Sequence, residues 1–217
     1  MSNFASSSTP PRTLTELEQK RLLQVSGEHK GGFRDHVIFS LALGAGLREH
    51  EIVGLDVQHV IAFNTELDGS RAPAAGDEGQ YVRRRVLLSK FKGSARAGGR
   101  LQEVILSDQV RYKLGKYLQI IRGRLLVDPL FLSRKGQRLS TRQLRELFAN
   151  WQGRAGFERR FRFHDLRHTY CSNVYRESGR DIVQVMRLAR HSRIQTSLIY
   201  THASDEEILE TVKKLRS

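Results

Sequence analysis

Apolar and polar positions alternate in two distinct rhythms along this chain, and the rhythm changes near its middle. After Pro11, TLTELEQKRLLQVS sets Leu14, Leu17, Leu22 and Leu23 at roughly helical spacing, and Thr13 with Glu16 fits a capping box at its start. Val37, Ile38, Leu41 and Ala42 form the apolar face of a second helix, which Gly44-Ala45-Gly46 breaks. A short third helix is expected from about Arg48, carrying Glu51, Ile52 and Leu55. The period then shortens: residues 57 to 63, YVRRRVLLS and LQEVILS read as strands, with the glycine-rich basic run KFKGSARAGGR as a protruding hairpin between the last two. TELDGSRAPAAGDEGQ carries no pattern and reads as a loop.

From Ser107 the helical rhythm returns. Ser107 or Asp108 is placed to cap VRYKLGKYLQII, and DPLFLSRKGQRLS reads as a hairpin or loop. Ser140 or Thr141 is placed to cap TRQLRELFANWQGRAG, where Leu144, Leu147, Phe148 and Trp151 share a face. Short helices are expected around 165–177, 181–189 and 194–200, and a last one over 204–216 with acids first and lysines late, as the helix dipole prefers. No internal repeat is visible. The class is mainly α with one small antiparallel β-sheet, an α+β arrangement.

Composition sharpens this picture through charge. Among 217 residues, 37 Lys and Arg face 23 Asp and Glu, a net +14 that calls for a polyanionic partner. The single cysteine, Cys171, excludes an internal disulfide and a cysteine-based zinc site, fits a reducing compartment, and reads as a small packing residue. No stretch approaches the length of a membrane span, and MSNFASSSTPPR lacks the apolar core of a secretory signal. A cytoplasmic, nucleoid-associated location is expected.

Chemistry concentrates in FHDLRHTY, with His164, Arg167, His168 and Tyr170. His164 and His168 are spaced to share one helix face, which would allow a metal; no third ligand accompanies them, and a phosphate grip or a solvated basic helix stays open. Other segments decide between these. GAGLREHE sets Arg48 after a glycine turn with Glu51 one turn on, the hairpin carries lysines, and RLARHSRIQTSLIYTH brings His191 and Tyr200.

The order Arg48, Lys92, His164-x-x-Arg167-His168, His191, Tyr200 resembles the catalytic domain of the tyrosine recombinases, the phage integrase family, over residues 13 to 217. The resemblance implies the tyrosine recombinase catalytic-domain fold and site-specific cleavage and rejoining of DNA through a covalent 3′-phosphotyrosine. The residues suit that chemistry: Arg48 and Arg167 are two forks for nonbridging oxygens, and Tyr200 is the expected nucleophile, needing help to lose its proton. His164 is the expected base, or else a donor to the phosphate, and His191 a second donor. By family analogy Lys92 protonates the leaving 5′ oxygen; Lys90 stands two residues away as the alternative, and Lys92 is preferred because it precedes Gly93. Tyr170 is expected to pack. Glu51 and Asp165 are expected to orient Arg48 or nearby backbone, and His168 to support the pocket. Lys90, Arg96, Arg100, Arg142, Arg145 and Arg190 are expected at DNA. Neither metal nor ATP is called for, since cationic side chains supply the charge.

Two departures stand out: Ala189-Arg190-His191 replaces the usual Leu-Gly-His, and Gly98-Gly99 lengthen the hairpin. Residues 1–12 read as a leader and 13–217 as one catalytic domain, without the helical core-binding domain that commonly precedes it. Expected partners are duplex recombination sites and further copies of the chain, as a tetramer on DNA, with no membrane. Two rival readings remain: a catalytically silent DNA-binding relative, and a nick-and-reseal activity like that of a type IB topoisomerase.

Overall fold

The computed structural model describes residues 11–63, 80–88 and 102–201. Four helices open it: α1 (Glu16–Glu28), α2 (Phe33–Ala45), α3 (Glu49–Val53) and α4 (Val57–Val60). Strands β1 (Ile61–Phe63), β2 (Gln80–Val82), β3 (Arg85–Leu88) and β4 (Gln102–Ile105) follow. Then come α5 (Asp108–Ile120), α6 (Thr141–Arg154), α7 (Phe163–Glu177), α8 (Ile182–Ala189) and α9 (Gln195–Leu198). The architecture is mainly helical with short antiparallel pairing, as the residue pattern predicts.

α2 lies at the centre, packed by α1, α5 and α7, and is buried on nearly every side from Asp35 to Ala45. A helix enclosed this way must satisfy its polar side chains internally. Asp35 accepts from Trp151 Nε1 at 2.9 Å and from Arg34 Nε at 2.7 Å, and Ser40 Oγ accepts from Lys113 Nζ at 3.1 Å. Phe39, Phe148 and Phe163 pack together and tie α6 and α7 to this helix.

Local physics moves several expected boundaries. The capping box of α1 is built by Thr15 and Glu18, not by Thr13 and Glu16: Thr15 N–H donates to Glu18 Oε2 at 2.7 Å and Glu18 N–H to Thr15 Oγ1 at 3.2 Å. Leu14 sets that register, for it is buried and its amide donates to Thr169 Oγ1 on α7 at 2.9 Å. Leu17 points outward, because five positions at about 100° each carry it away from buried Leu22.

The strand expected over 57 to 63 forms only in its last three residues. Val57 and Val60, three apart, are both buried as one helical turn allows and strand alternation forbids. The expected single sheet is two ladders, β1 with β2 and β3 with β4. They meet at Arg83, whose N–H donates to Val60 O at 2.9 Å and whose Nε donates to Ile61 O at 2.7 Å, and at Arg84, whose carbonyl accepts from Leu106 N–H at 2.9 Å. Ser107 and Ser140 cap α5 and α6 as their spacing implies. The hairpin near residue 135 closes through Ser133 N–H to Gln137 O at 2.7 Å. α7 begins two residues ahead of the expected start at 165.

Gly46 ends α2 with φ 60°, and a Cβ there would lie 2.3 Å from Tyr170 Cδ1. Both the left-handed backbone and the ring exclude a side chain. Gly46→Ala should therefore lose about 2 kcal/mol or more of stability, read from the midpoint of urea unfolding at unchanged slope. A midpoint like wild type would show that Tyr170 moves aside without penalty.

Candidate active site

Two helix ends meet at one guanidinium. Arg167, buried on α7, donates through Nη1 to Gly46 O at the end of α2 and through Nη2 to Ala189 O at the end of α8. Carbonyls at helix C-termini lack intrahelical partners and carry the negative end of the dipole, so both favour a cation. Burial and neighbouring Arg48 pull Arg167 down to about 10, which leaves it charged at neutral pH.

Arg48 follows two residues after Gly46 and caps α3. Its N–H donates to Glu51 Oε2 at 2.7 Å and its Nη1 to Glu51 Oε1 at 2.9 Å, so Glu51 orients both its backbone and its fork. Asp165 serves backbone instead, accepting from Arg162 N–H at 2.7 Å at the start of α7.

Past Ala189 the chain turns through Arg190 in the left-handed region, φ 57°. Arg190, expected at DNA, folds its guanidinium inward to Glu51 Oε2 at 2.5 Å, drawn by a buried carboxylate. His191 follows, its Nδ1 2.8 Å from the Oγ of buried Ser197. Its ring lies nearly parallel to that of Tyr200, with centroids 6.5 Å apart.

The Tyr200 hydroxyl lies 2.6 Å from Nδ1 of His168, the imidazole for which only a supporting part was expected. His164, the expected base, instead meets the His168 ring edge-on with centroids 4.7 Å apart. The spacing within FHDLRHTY sets both on one face; only the path of the chain through α8 and α9 determines which one reaches Tyr200. Loss of water drives the Tyr200 phenol far above its ordinary value, helped by Cys171. Cys171, expected only to pack, is buried beside that hydroxyl.

The same enclosure keeps the imidazoles neutral. Burial, then His164, lowers His168 to about 4, and burial with Arg167 and Arg48 lowers His191 to about 4. His164 keeps an exposed edge, yet loss of water on its other side and the nearby Arg167 lower it as well.

The structure thus brings together Arg48, Glu51, His164, Arg167, His168, Arg190, His191 and Tyr200 in one cluster of contacts. Arg142 and Arg145 are exposed on α6, paired with Glu146 and Glu49. Tyr170 packs against Gly46. Lys90, Lys92, Arg96, Arg100 and the helix expected over 204–216 lie outside the described residues. Sequence reasoning missed Ser197 and the carbonyls of Gly46 and Ala189. Ser197 stands between His191 and Tyr200, where proximity was the available signal; backbone carbonyls leave none.

The class these features define is that of a helical catalytic domain shared with solved recombinases. The structure of XerA recombinase superposes with a TM-score of 0.71 at 25% identity, covering 95% of this chain and 66% of that one. The XerH site-specific recombinase bound to difH substrate gives a TM-score of 0.69 at 19% identity, covering 99% of this chain and 57% of that one. A family model described as the phage integrase family matches residues 79–207, and the chain belongs to that family. Tyrosine recombinase XerC of Escherichia coli O1:K1 is 27% identical over 192 residues, which cover 88% of this chain and 56% of the relative. The chain therefore spans about half the length of the curated relatives it matches.

Half-buried neutral histidines make stability pH-dependent in a definite sense. Folded-state values near 4 lie below the ordinary 6.5, so the unfolded chain takes up these protons first. Their contribution is complete above about pH 6.5 and is lost as pH falls towards 4. Thermal melts should decline across that window, and imidazole proton shifts of His168 and His191 should not titrate until its lower end. Shifts titrating near 6.5 would contradict the enclosure described.

Proposed function

We propose that this chain is the catalytic domain of a site-specific DNA recombinase or integrase that cleaves and rejoins strands through a covalent 3′-phosphotyrosine. The observation that carries the reading is convergence: Arg48, Arg167 and the segment from His191 to Tyr200, three separate stretches of the chain, lie in one cluster with an imidazole on the tyrosine hydroxyl. In this reading Tyr200 Oη bonds to phosphorus as the phosphorus–5′ oxygen bond breaks. The hydroxyl proton passes to Nδ1 of His168, whose lone pair is available because the ring is neutral. The leaving 5′ oxygen takes a proton from Lys92. Arg48 and Arg167 hold the charge that grows on the nonbridging oxygens, with His164 and His191 as further donors.

The reaction conserves one phosphodiester for one phosphotyrosine, so reversal by a 5′ hydroxyl rejoins the strand. Double-stranded recombination sites are the proposed substrate, in keeping with the net charge of +14. Residues 13–217 are the proposed catalytic unit, acting in the cytoplasm at the nucleoid as part of a tetramer on DNA.

Two experiments test this. On a randomised library of nicked duplexes, wild type should form detergent-resistant protein–DNA adducts and Tyr200→Phe should form none. Adducts with the phenylalanine variant would show that another nucleophile acts. Supercoil relaxation without any recombinant product would favour the nick-and-reseal alternative.

Second, His168→Asn should slow adduct formation at pH 7 by about 100-fold, with partial recovery at alkaline pH as the phenol ionises unaided. His164→Asn should slow it at every pH without that recovery. The reverse pattern would return the role of base to His164.

A further inference from the structure

Within the cluster of described residues, Arg190 is a cation to which the cleavage reaction above gives no task. It sits at the C-cap of α8 with φ 57°, a backbone conformation that strains any side chain and leaves glycine unstrained. Its side chain is only 6% exposed, with Nη2 2.5 Å from Glu51 Oε2. Its Nε and Nη1 are shut off from solvent and have no hydrogen-bond partner among the described residues. A buried guanidinium with two unsatisfied nitrogens is a poor stabiliser of a fold, since an apolar side chain would avoid its desolvation. What it supplies is charge, and the place where that charge falls is Glu51.

Glu51 is buried and bonded to Arg48 through both of its oxygens. That pairing orients Arg48, but it also opposes the positive charge that Arg48 would present to a phosphate. Burial alone would raise the Glu51 carboxyl; Arg190, then the Arg48 amide and guanidinium, hold it below the ordinary carboxylate value, so it stays ionised. Arg48, Arg167 and Arg190 against Glu51 leave the cluster with two positive charges; without Arg190 one would remain.

We propose that Arg190 is a positioning residue for phosphate capture: it neutralises Glu51, which then orients Arg48 without cancelling its charge. The inference rests on the strand-cleavage reading. It assigns Glu51 the geometry of Arg48 and Arg190 the electrostatics, and it explains why an arginine is held in a left-handed conformation. The carboxylate draws the guanidinium inward and offsets the backbone strain.

The test uses the 217-residue chain and the nicked duplex recovered in highest adduct yield from the randomised library. Adduct formation is timed for wild type, Arg190→Gly, Arg190→Lys, Arg190→Met and the double variant Arg190→Gly with Glu51→Gln. Arg190→Gly should form adduct about tenfold more slowly at saturating DNA, the size of effect that a little over 1 kcal/mol in the barrier gives. Its half-saturating DNA concentration should stay within about twofold, because a buried guanidinium makes no groove contact.

Removing the carboxylate charge in the double variant should restore most of the lost rate, since glutamine keeps an oxygen for Arg48. Lysine should stay faster than methionine, a comparison that holds even if the glycine variant proves too unstable to assay. Arg190→Gly as fast as wild type, a double variant no faster than Arg190→Gly, or lysine equal to methionine would each overturn the inference. Absence of any Tyr200-dependent adduct from wild type would instead overturn the cleavage reading beneath it.

Discussion

The Arg167 guanidinium is the joint on which fold and site both depend. It donates to the last carbonyls of two helices, Gly46 O after α2 and Ala189 O of α8, and it is buried where it does so. Removing a guanidinium from water is unfavourable, and here two helix dipoles with two unsatisfied carbonyls offset that loss. Because these contacts fall at chain reversals, whatever follows each helix is set beside the same cation. Arg48 comes after one, and Arg190 with His191 after the other. Gly46 makes the first approach possible by its left-handed backbone and its lack of a Cβ against the Tyr170 ring.

Burial, with the cation cluster adding to it, sets the protonation of the surrounding imidazoles. With Arg167, Arg48 and Arg190 clustered near the carboxylate of Glu51, further positive charge is disfavoured. His168 and His191 are correspondingly neutral through the physiological range. In the proposed reaction, permanent cations provide the field and the imidazoles move or share protons. A guanidinium suits the first task because it keeps its charge when partly desolvated. An imidazole suits the second because one ring nitrogen accepts while the other donates.

Much of this was legible in the sequence where chemistry is written in side-chain type and periodicity. Helix α6 with its Ser140 cap, the α7 motif, the packing role of Tyr170 and the order of the pocket residues all follow from local pattern. Features that depend on three-dimensional neighbours were not. Val57 and Val60 have strand propensity, yet the buried surface they cover demands helical spacing. Arg190 reads as a surface cation until Glu51, far away in sequence, is found beneath it. His164 and His168 share a helix face, so sequence alone ranks them by motif position. The chain path through α9 ranks them by distance to Tyr200 and reverses the order.

The short span from His191 to Tyr200 is fixed at both ends through one residue. His191 is fixed at its start by Ser197, Ser197 N–H donates to Ile194 O at 2.7 Å, and Tyr200 N–H donates to Ser197 O at 3.1 Å. Ser197 therefore links the histidine ring and the tyrosine backbone within a single turn and is itself fully buried. A tyrosine on a loose loop would have to be ordered for each reaction, an entropic loss that preorganisation removes. Here the ordering is done by a serine hydroxyl and one backbone carbonyl. The Tyr200 hydroxyl is itself placed 2.6 Å from Nδ1 of His168, so the ring as well as its backbone is positioned by a named contact.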